Sequence, residues 1–246
     1  MIILDIPFLK RIIPSLIRRY KILTNPIINK FDLKGIQIDL DIRESLERKI
    51  FFEKKYEEEN FEYLCKAIKK YQCSYFIDIG SNIGIYSLRI AKKFDNIKKI
   101  HAFEPLIETF KKLKKNVFYN NLSEKIDIHN YGLSSANKII MGSLRCKGNL
   151  KQSAGFNIDP NGNTEIKVNK GDNIIKLINQ SISIKCDVEG HEMEVFKGLE
   201  KFITTNKCFI QVEVWKKNEK SLNEFFNTRG YKLVETILGE TYYTNN

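Results

Sequence analysis

The chain has 246 residues, 42% of them apolar, 29% charged and 11% aromatic, and a net charge of +11. These proportions exclude collagenous, mucin-like and disordered chains, and the length is enough to bury a core without disulfides or metals. No apolar run reaches the roughly 20 residues of a membrane helix. The opening MIILDIPFLKRIIPSLIRRYKIL, broken by charges and two prolines, is a poor signal peptide, so a cytoplasmic location is expected.

A charge this large could serve nucleic acid, an anionic membrane or an acidic ligand. The basic residues are dispersed, however (Lys92, Lys93, Lys98, Lys99, Lys111, Lys112), where solvated helix faces are expected in a chain rich in Lys, Asn and Ile. Cys65, Cys73, Cys146, Cys186 and Cys208 are odd in number and none sit at Cys-x-x-Cys spacing, which reads as reduced, structural thiols.

Residues 1–73 are read as an amino-terminal helical or extended segment packing on the core. Within it, residues 6–22 form a basic amphipathic stretch that could touch a membrane surface, and 53–71 a helix. From 74 to 246 the pattern is that of one α/β domain. SYFIDIG (74–80), KKIHAFE (98–104), EKIDIHNYGL (124–133), SISIKCDVEG (181–190) and NKCFIQVEVW (206–215) read as strands. Helices are expected over 86–94, 107–116 and 220–228, and over 192–203 with Val195, Phe196, Leu199 and Phe202 on one face. Residues 134–172 read as an insertion of hairpins and loops, with KIIMGSLR and EIKVN as its strands. YKLVETI and TYYT around a Leu-Gly-Glu turn read as a terminal antiparallel hairpin. Strands that alternate with helices and are apolar on both faces imply a mostly parallel sheet with helices on both sides.

Three constellations carry chemistry. Asp78-Ile-Gly80-Ser81-Asn82-Ile-Gly84 joins a buried strand to a helix and fits D-x-G-x-N-x-G; the dinucleotide fingerprint G-x-G-x-x-G fails at Asn82 and Ile85. Glu104, flanked by Phe103 and Pro105, ends the next strand, where a carboxylate can accept both hydroxyls of a ribose. With the hairpin and without the dinucleotide glycines, these features point to S-adenosylmethionine rather than NAD. Third, Lys185-Cys-Asp187-Val-Glu189-Gly190-His191-Glu192 ends a strand on which Ser183, Lys185 and Asp187 share a face. A buried Lys185 should pair with Asp187 or with Glu213 on the neighbouring strand.

The segments FIDIGSNIGIYSL, HAFEP, KCDVEGHEMEVFKGL and FIQVEVW, in this order, resemble the FkbM-type methyltransferases, and the resemblance covers roughly residues 35–235. It implies a class I, Rossmann-like fold with a seven-stranded, mostly parallel sheet. The implied activity is S-adenosylmethionine-dependent O-methylation of a sugar, glycan or other small metabolite, leaving S-adenosylhomocysteine. It further implies that Asp78, Gly80, Ser81, Asn82 and Gly84 form the methionine and ribose side of the cofactor site and that Glu104 holds the ribose hydroxyls, with Pro105 beside it in the cofactor site. Tyr131 and Gly132 would lie around the adenine, and Glu57, after Tyr56, would close over the methionine end.

A hydroxyl acceptor needs its proton removed. Asp187, Glu189, His191 and Glu213 are the candidates, with Asp187 nearest the sulfonium, His191 the natural base by its ordinary pKa, and Lys185 positioning a carboxylate or the acceptor oxygen. These groups could also bind Mg²⁺, but no metal is predicted. The expected acceptor is a sugar or nucleotide-sugar, recognised through residues 1–50 and 134–172. A nucleic-acid methyltransferase is the alternative, disfavoured because Asp187-Val-Glu189-Gly190 stands where an Asn/Asp-Pro-Pro-Tyr/Phe segment is expected; a non-catalytic cofactor-binding module is another.

Overall fold

The computed structural model describes residues 20–147 and 150–246, with side chains described outside 145–154. The basic stretch 6–22 lies almost wholly outside these residues, and the side chain of Cys146 lies outside them too. The described chain opens with a hairpin, β1 (Ile27–Leu33) and β2 (Ile36–Asp41), then helices α1 (Ser45–Glu53) and α2 (Glu58–Lys70). Next come β3 (Tyr75–Ile79), α3 (Ile85–Lys93), β4 (Lys99–Phe103), α4 (Ile107–Tyr119) and β5 (Ile126–His129). The middle segment contains β6 (Gly132–Ser134), β7 (Lys138–Lys147), β8 (Leu150–Ile158), β9 (Thr164–Lys170) and the short α5 (Gly171–Ile174). The chain ends with β10 (Ser181–Cys186), α6 (Glu192–Gly198), α7 (Glu200–Thr205), β11 (Lys207–Glu213), α8 (Lys216–Asn227), β12 (Lys232–Ile237) and β13 (Glu240–Thr244).

The main sheet is mixed, with strand order β12-β13-β11-β10-β3-β4-β5. Strands β11, β10, β3, β4 and β5 run parallel, while β13 pairs antiparallel with both β11 and β12. One face carries Phe76, Phe209 and Tyr242 into a core shared with α2, α3 and α4. The other carries Ile77, Ile79, Ile184 and Ile210 into a core with Val195, Phe196, Leu199 and Phe202. The chain runs from β3 outward to β4 and β5, then returns to place β10 on the other side of β3. The carboxyl ends of β3 and β10 therefore flank the point where strand order reverses, the place where open α/β sheets leave a crevice.

The amino-terminal part is less helical than its sequence suggests. The β1–β2 hairpin docks on α4, where Asn116 and Asn120 accept from the backbone N–H of Asp39 and Gln37 (2.8 and 2.9 Å). The helix expected over 53–71 is interrupted, because Lys54 and Glu57 adopt left-handed φ of 53° and 45°. The strand expected over 124–133 is divided. The Asn130 amide donates to the carbonyls of Glu104 and Pro105 (3.0 and 3.2 Å), turning the chain out of the main sheet. Gly132–Ser134 then pairs with β9 in a second, four-stranded sheet of order β6-β9-β7-β8, built from the middle segment. The helix expected over 192–203 is two helices meeting at Leu199. Among the described residues, no helix is long and apolar enough to cross a membrane.

Candidate functional site

A cavity of about 300 Å³ lies at the reversal point, walled by the turns after β3, β4 and β10, the loop before α2 and one face of the second sheet. Asp78, Gly80, Ser81, Asn82, Glu104, Pro105, Gly132, Glu57, Lys185, Asp187, Glu189, His191 and Glu213 all line it. Gly84 and Tyr131 do not. Gly84 caps α3, and Tyr131 turns aside, its hydroxyl 3.2 Å from His129 Nδ1 and its ring centroid 5.8 Å from that of Phe103.

Gly80 and Ser81 donate their backbone N–H groups to the carbonyl of Phe103 (3.0 Å each), tying the turn after β3 to the end of β4. Gly80 has a φ of +78°, and a Cβ there would stand 1.9 Å from the carbonyl oxygen of Asp187. The absence of a Cβ at this position leaves room for the β10 turn. Asp78 is buried and accepts from Ser87 Oγ (2.6 Å) and Ser87 N–H (3.2 Å). Burial pushes its carboxyl up, opposed by Lys185 and these hydrogen bonds.

Glu104 is only 5% exposed. Its two oxygens accept from the backbone N–H groups of Asn82 (3.0 Å) and Leu106 (2.8 Å). Burial nevertheless pushes its pKa up to about 7. A carboxylate oxygen has a second lone pair, so this fixed carboxylate still has acceptor capacity toward the cavity. The hydroxyl of Ser81 and Oε2 of Glu57 are buried without a hydrogen-bond partner among the described residues. Such groups are costly unless a ligand completes them.

At the ends of β10 and β11 the site becomes a dense charge cluster. In register, Lys185 lies between Asp78 on β3 and Gln211 on β11, and Glu213 faces Glu240 on β13. Of the two partners expected for Lys185, the structure selects Asp187, at 2.9 Å, with the ammonium also 4.9 Å from the centre of the Tyr86 ring. Burial alone would push this ammonium down, yet Asp187, Glu57 and Glu240 hold it well above its ordinary value. Burial and crowding by Asp187, Glu189 and Glu240 push Glu213 up to about 8. Burial likewise pushes Glu240 up to about 7, opposed by Lys185 and raised further by Asp187 and Glu57.

His191 precedes α6 with Nε2 3.0 Å from Ser134 Oγ, and burial lowers its pKa. It reaches the cavity with Nε2 already engaged. Among the described residues, no group of three or more His, Cys, Asp or Glu is arranged to hold a metal ion. Cys65, Cys73, Cys186 and Cys208 are free and buried.

Several residues of the site were not singled out from sequence. Arg89, 7% exposed, donates to the Tyr56 carbonyl (3.1 Å) and Glu58 (3.0 Å), pinning the loop that carries Glu57. Gln211 donates to the Tyr86 hydroxyl (3.2 Å). The alternation of Gln211 and Glu213 in an otherwise apolar strand was the available signal. Glu240 gave none, since its place depends on strand pairing. The middle segment, polar in composition, turns an apolar face inward: Ile140, Phe156, Ile166 and Val168 line the cavity beside Leu106 and Leu133.

A family model described as the methyltransferase FkbM domain matches residues 78–233. A hexuronic acid methyltransferase, AglP, from Haloferax volcanii is 30% identical over 125 residues, covering 50% of this chain and 48% of that protein. Methyltransferase 1 of Beauveria bassiana is 25% identical over 150 residues, covering 52% of this chain and 59% of that protein. The chain thus spans about half the length of the curated relatives it matches. In fold, it is similar to a methyltransferase FkbM from Methylobacillus flagellatus (TM-score 0.50, 18% identity, 70% of this chain and 43% of that one). It is also similar to a human methyltransferase 10 domain containing protein (TM-score 0.51, 15% identity, 94% of this chain and 95% of that one).

Proposed function

The chain belongs to the FkbM methyltransferase family, and from that premise we propose that it is an S-adenosylmethionine-dependent O-methyltransferase acting on a hydroxyl of an uncharged sugar or similar polyol. The observation that carries this reading is Glu104, a carboxylate fixed by two backbone N–H groups at the edge of a cavity with an apolar wall. The cofactor asks for three things: acceptors for a ribose diol, a partner for an α-ammonium, and an apolar slot for a flat base. Glu104, the unpartnered Glu57 Oε2, and the wall from Leu106 to Val168 are residues of those three kinds. Ser81 Oγ, also unpartnered, suits the cofactor's carboxylate. The residues fit the group. Tyr131, which stands off the cavity, is left out of the proposed site.

When bound, S-adenosylmethionine supplies a methyl group already activated on a sulfonium. The protein's work is then to align a hydroxyl oxygen with that carbon and to take the hydroxyl proton. Asp187 and Glu213 are placed to accept the proton. Lys185 holds Asp187 by its 2.9 Å ion pair, a positioning role. His191, with Nε2 engaged by Ser134, is the weaker candidate for base.

The relative named for hexuronic acid, itself an anionic sugar at neutral pH, supports a sugar as acceptor, and the charge of the acceptor is read from the cavity wall alone. Among the described residues, the cavity wall carries several carboxylates and Lys185 as its only ammonium, with no guanidinium. Such a wall disfavours phosphates. The uncharged form of a sugar therefore suits it better than a nucleotide-sugar or a nucleic-acid backbone, and the net charge of +11 belongs to other surfaces.

Calorimetric titration with S-adenosylhomocysteine, with NAD as control, tests the cofactor. Micromolar binding of the former alone is expected, and binding of NAD instead would overturn the reading. Replacing Glu104 with alanine should raise the dissociation constant about 10- to 100-fold, the equivalent of ~1.5–3 kcal/mol for a charge-assisted hydrogen-bond pair. Unchanged affinity would remove Glu104 from the site. Once an acceptor is in hand, Asp187→Asn should lower kcat by about a hundredfold or more if Asp187 takes the proton. Full turnover by that variant would exclude the role.

A further inference from the structure

Glu57, Asp78, Glu104, Asp187, Glu189 and Glu213 meet around one cavity, and the single ammonium in its wall among the described residues, Lys185, is already paired with Asp187. A fifth strand adds Glu240, opposite Glu213 in the β11–β13 register and with Oε2 buried and without a hydrogen-bond partner among the described residues. Carboxylates gathered this closely repel one another, and the repulsion is relieved either by retained protons or by a cation. S-adenosylmethionine carries one positive charge more than S-adenosylhomocysteine, and the two are otherwise nearly the same in shape.

We propose that this cavity selects its ligand by charge, binding the sulfonium form of the cofactor more tightly than the thioether left after transfer, with Glu213 as the residue that sets the preference. The inference rests on the cofactor assignment above and deepens it. Glu213 is singled out because it lines the cavity while facing Asp187 and Glu189 from β10 and its turn, and Glu240 from β13. The other charged and titratable groups on this cluster include Lys185, Asp78, Glu57, Glu104, Glu192, Cys186, Tyr56, Tyr86 and Tyr242. A protonated Glu213, with its pKa pushed up to about 8, neither attracts nor repels the neutral thioether. A cation arriving nearby favours its ionised form, so the sulfonium is bound with release of a proton. The consequence is a weaker hold on the spent cofactor than on the fresh one.

The test is calorimetric titration of the full chain with S-adenosylmethionine, S-adenosylhomocysteine and sinefungin, which carries an ammonium in place of the sulfonium. Each is run at pH 7 in two buffers of different ionisation enthalpy. The expected result is about tenfold tighter binding of the two cations than of the thioether, equivalent to ~1.4 kcal/mol, with net proton release for the cations alone. In Glu213→Gln the preference should shrink several-fold, with an unchanged far-UV circular dichroism spectrum as the control that the variant is folded. Equal or tighter binding of S-adenosylhomocysteine by the unaltered protein would overturn the proposal and leave the cofactor assignment standing. An undiminished preference in Glu213→Gln would overturn the role of Glu213. Failure of all three ligands to bind would remove the cofactor assignment, and this proposal with it.

Discussion

Replacing Gly80 with alanine is expected to lower the melting temperature by about 6–12 °C, or ~3 kcal/mol in a chain of this size, and to abolish binding of S-adenosylhomocysteine. Two costs combine. A φ of +78° is disfavoured for any residue with a Cβ, by roughly 1–2 kcal/mol. The new methyl group would also stand 1.9 Å from the Asp187 carbonyl oxygen, an impossible approach to rigid backbone. Relief requires the turns after β3 and β10 to separate, which costs another ~1–3 kcal/mol as overpacking. Those turns carry Ser81 and Asn82 on one side and Asp187 and Glu189 on the other, so binding goes with stability. Gly84→Ala is the comparison. It has a similar φ of +89°, but its Cβ would meet Cδ1 of Leu113, a side-chain end that can swing away. Thermal melts of the two variants should separate clearly, with Gly80→Ala lower. Equal melting temperatures would show that the close approach to Asp187 contributes nothing.

The contrast between these glycines marks where sequence reasoning succeeds and where it stops. The D-x-G-x-N-x-G turn, Glu104 and the Lys185-to-His191 segment are local in the chain, each at the end of an apolar strand. Their convergence follows from the parallel strand–helix–strand rhythm alone. What crosses between distant segments was not legible. Nothing in Gly80 says that its neighbour is the carbonyl of Asp187, over 100 residues away. Arg89 reads as one more base on a helix, yet it fixes the Tyr56 carbonyl and so the loop of Glu57. The division of 124–133 into β5 and β6 depends on Asn130 bonding to the carbonyls of Glu104 and Pro105, which no periodicity reveals. The middle segment misleads by composition, since its Asn, Lys and Ser mask the alternation that turns Ile140, Ile166 and Val168 inward. Glu240 is the furthest case, because only the antiparallel register opposite Glu213 brings it to the cluster.

That cluster yields the other large effect, the removal of the buried cation. Lys185→Met keeps the length of the side chain and deletes the charge beneath Asp187, Glu57 and Glu240. Leaving one partner of a buried pair uncompensated costs ~3–5 kcal/mol, and here several carboxylates lose the same cation. The pH dependence is specific. Glu240 and Glu213 have folded pKa values of about 7 and about 8, above the ordinary value of 4.5. Between those values the folded state holds more protons than the unfolded one, so stability falls as pH rises from about 4.5 through 8. Lys185 opposes this by favouring the ionised form of Glu240 and of Asp78. Without it these carboxyls rise further and the loss steepens. At pH 5 Glu240 and Glu213 remain protonated, and the variant should lie close to the unaltered protein. At pH 8 the full difference of ~3–5 kcal/mol should appear. Denaturant unfolding of both proteins across that range measures it directly. A difference that is constant from pH 5 to pH 8 would mean that Lys185 contributes by packing against Tyr86 rather than by neutralising the carboxylates around it.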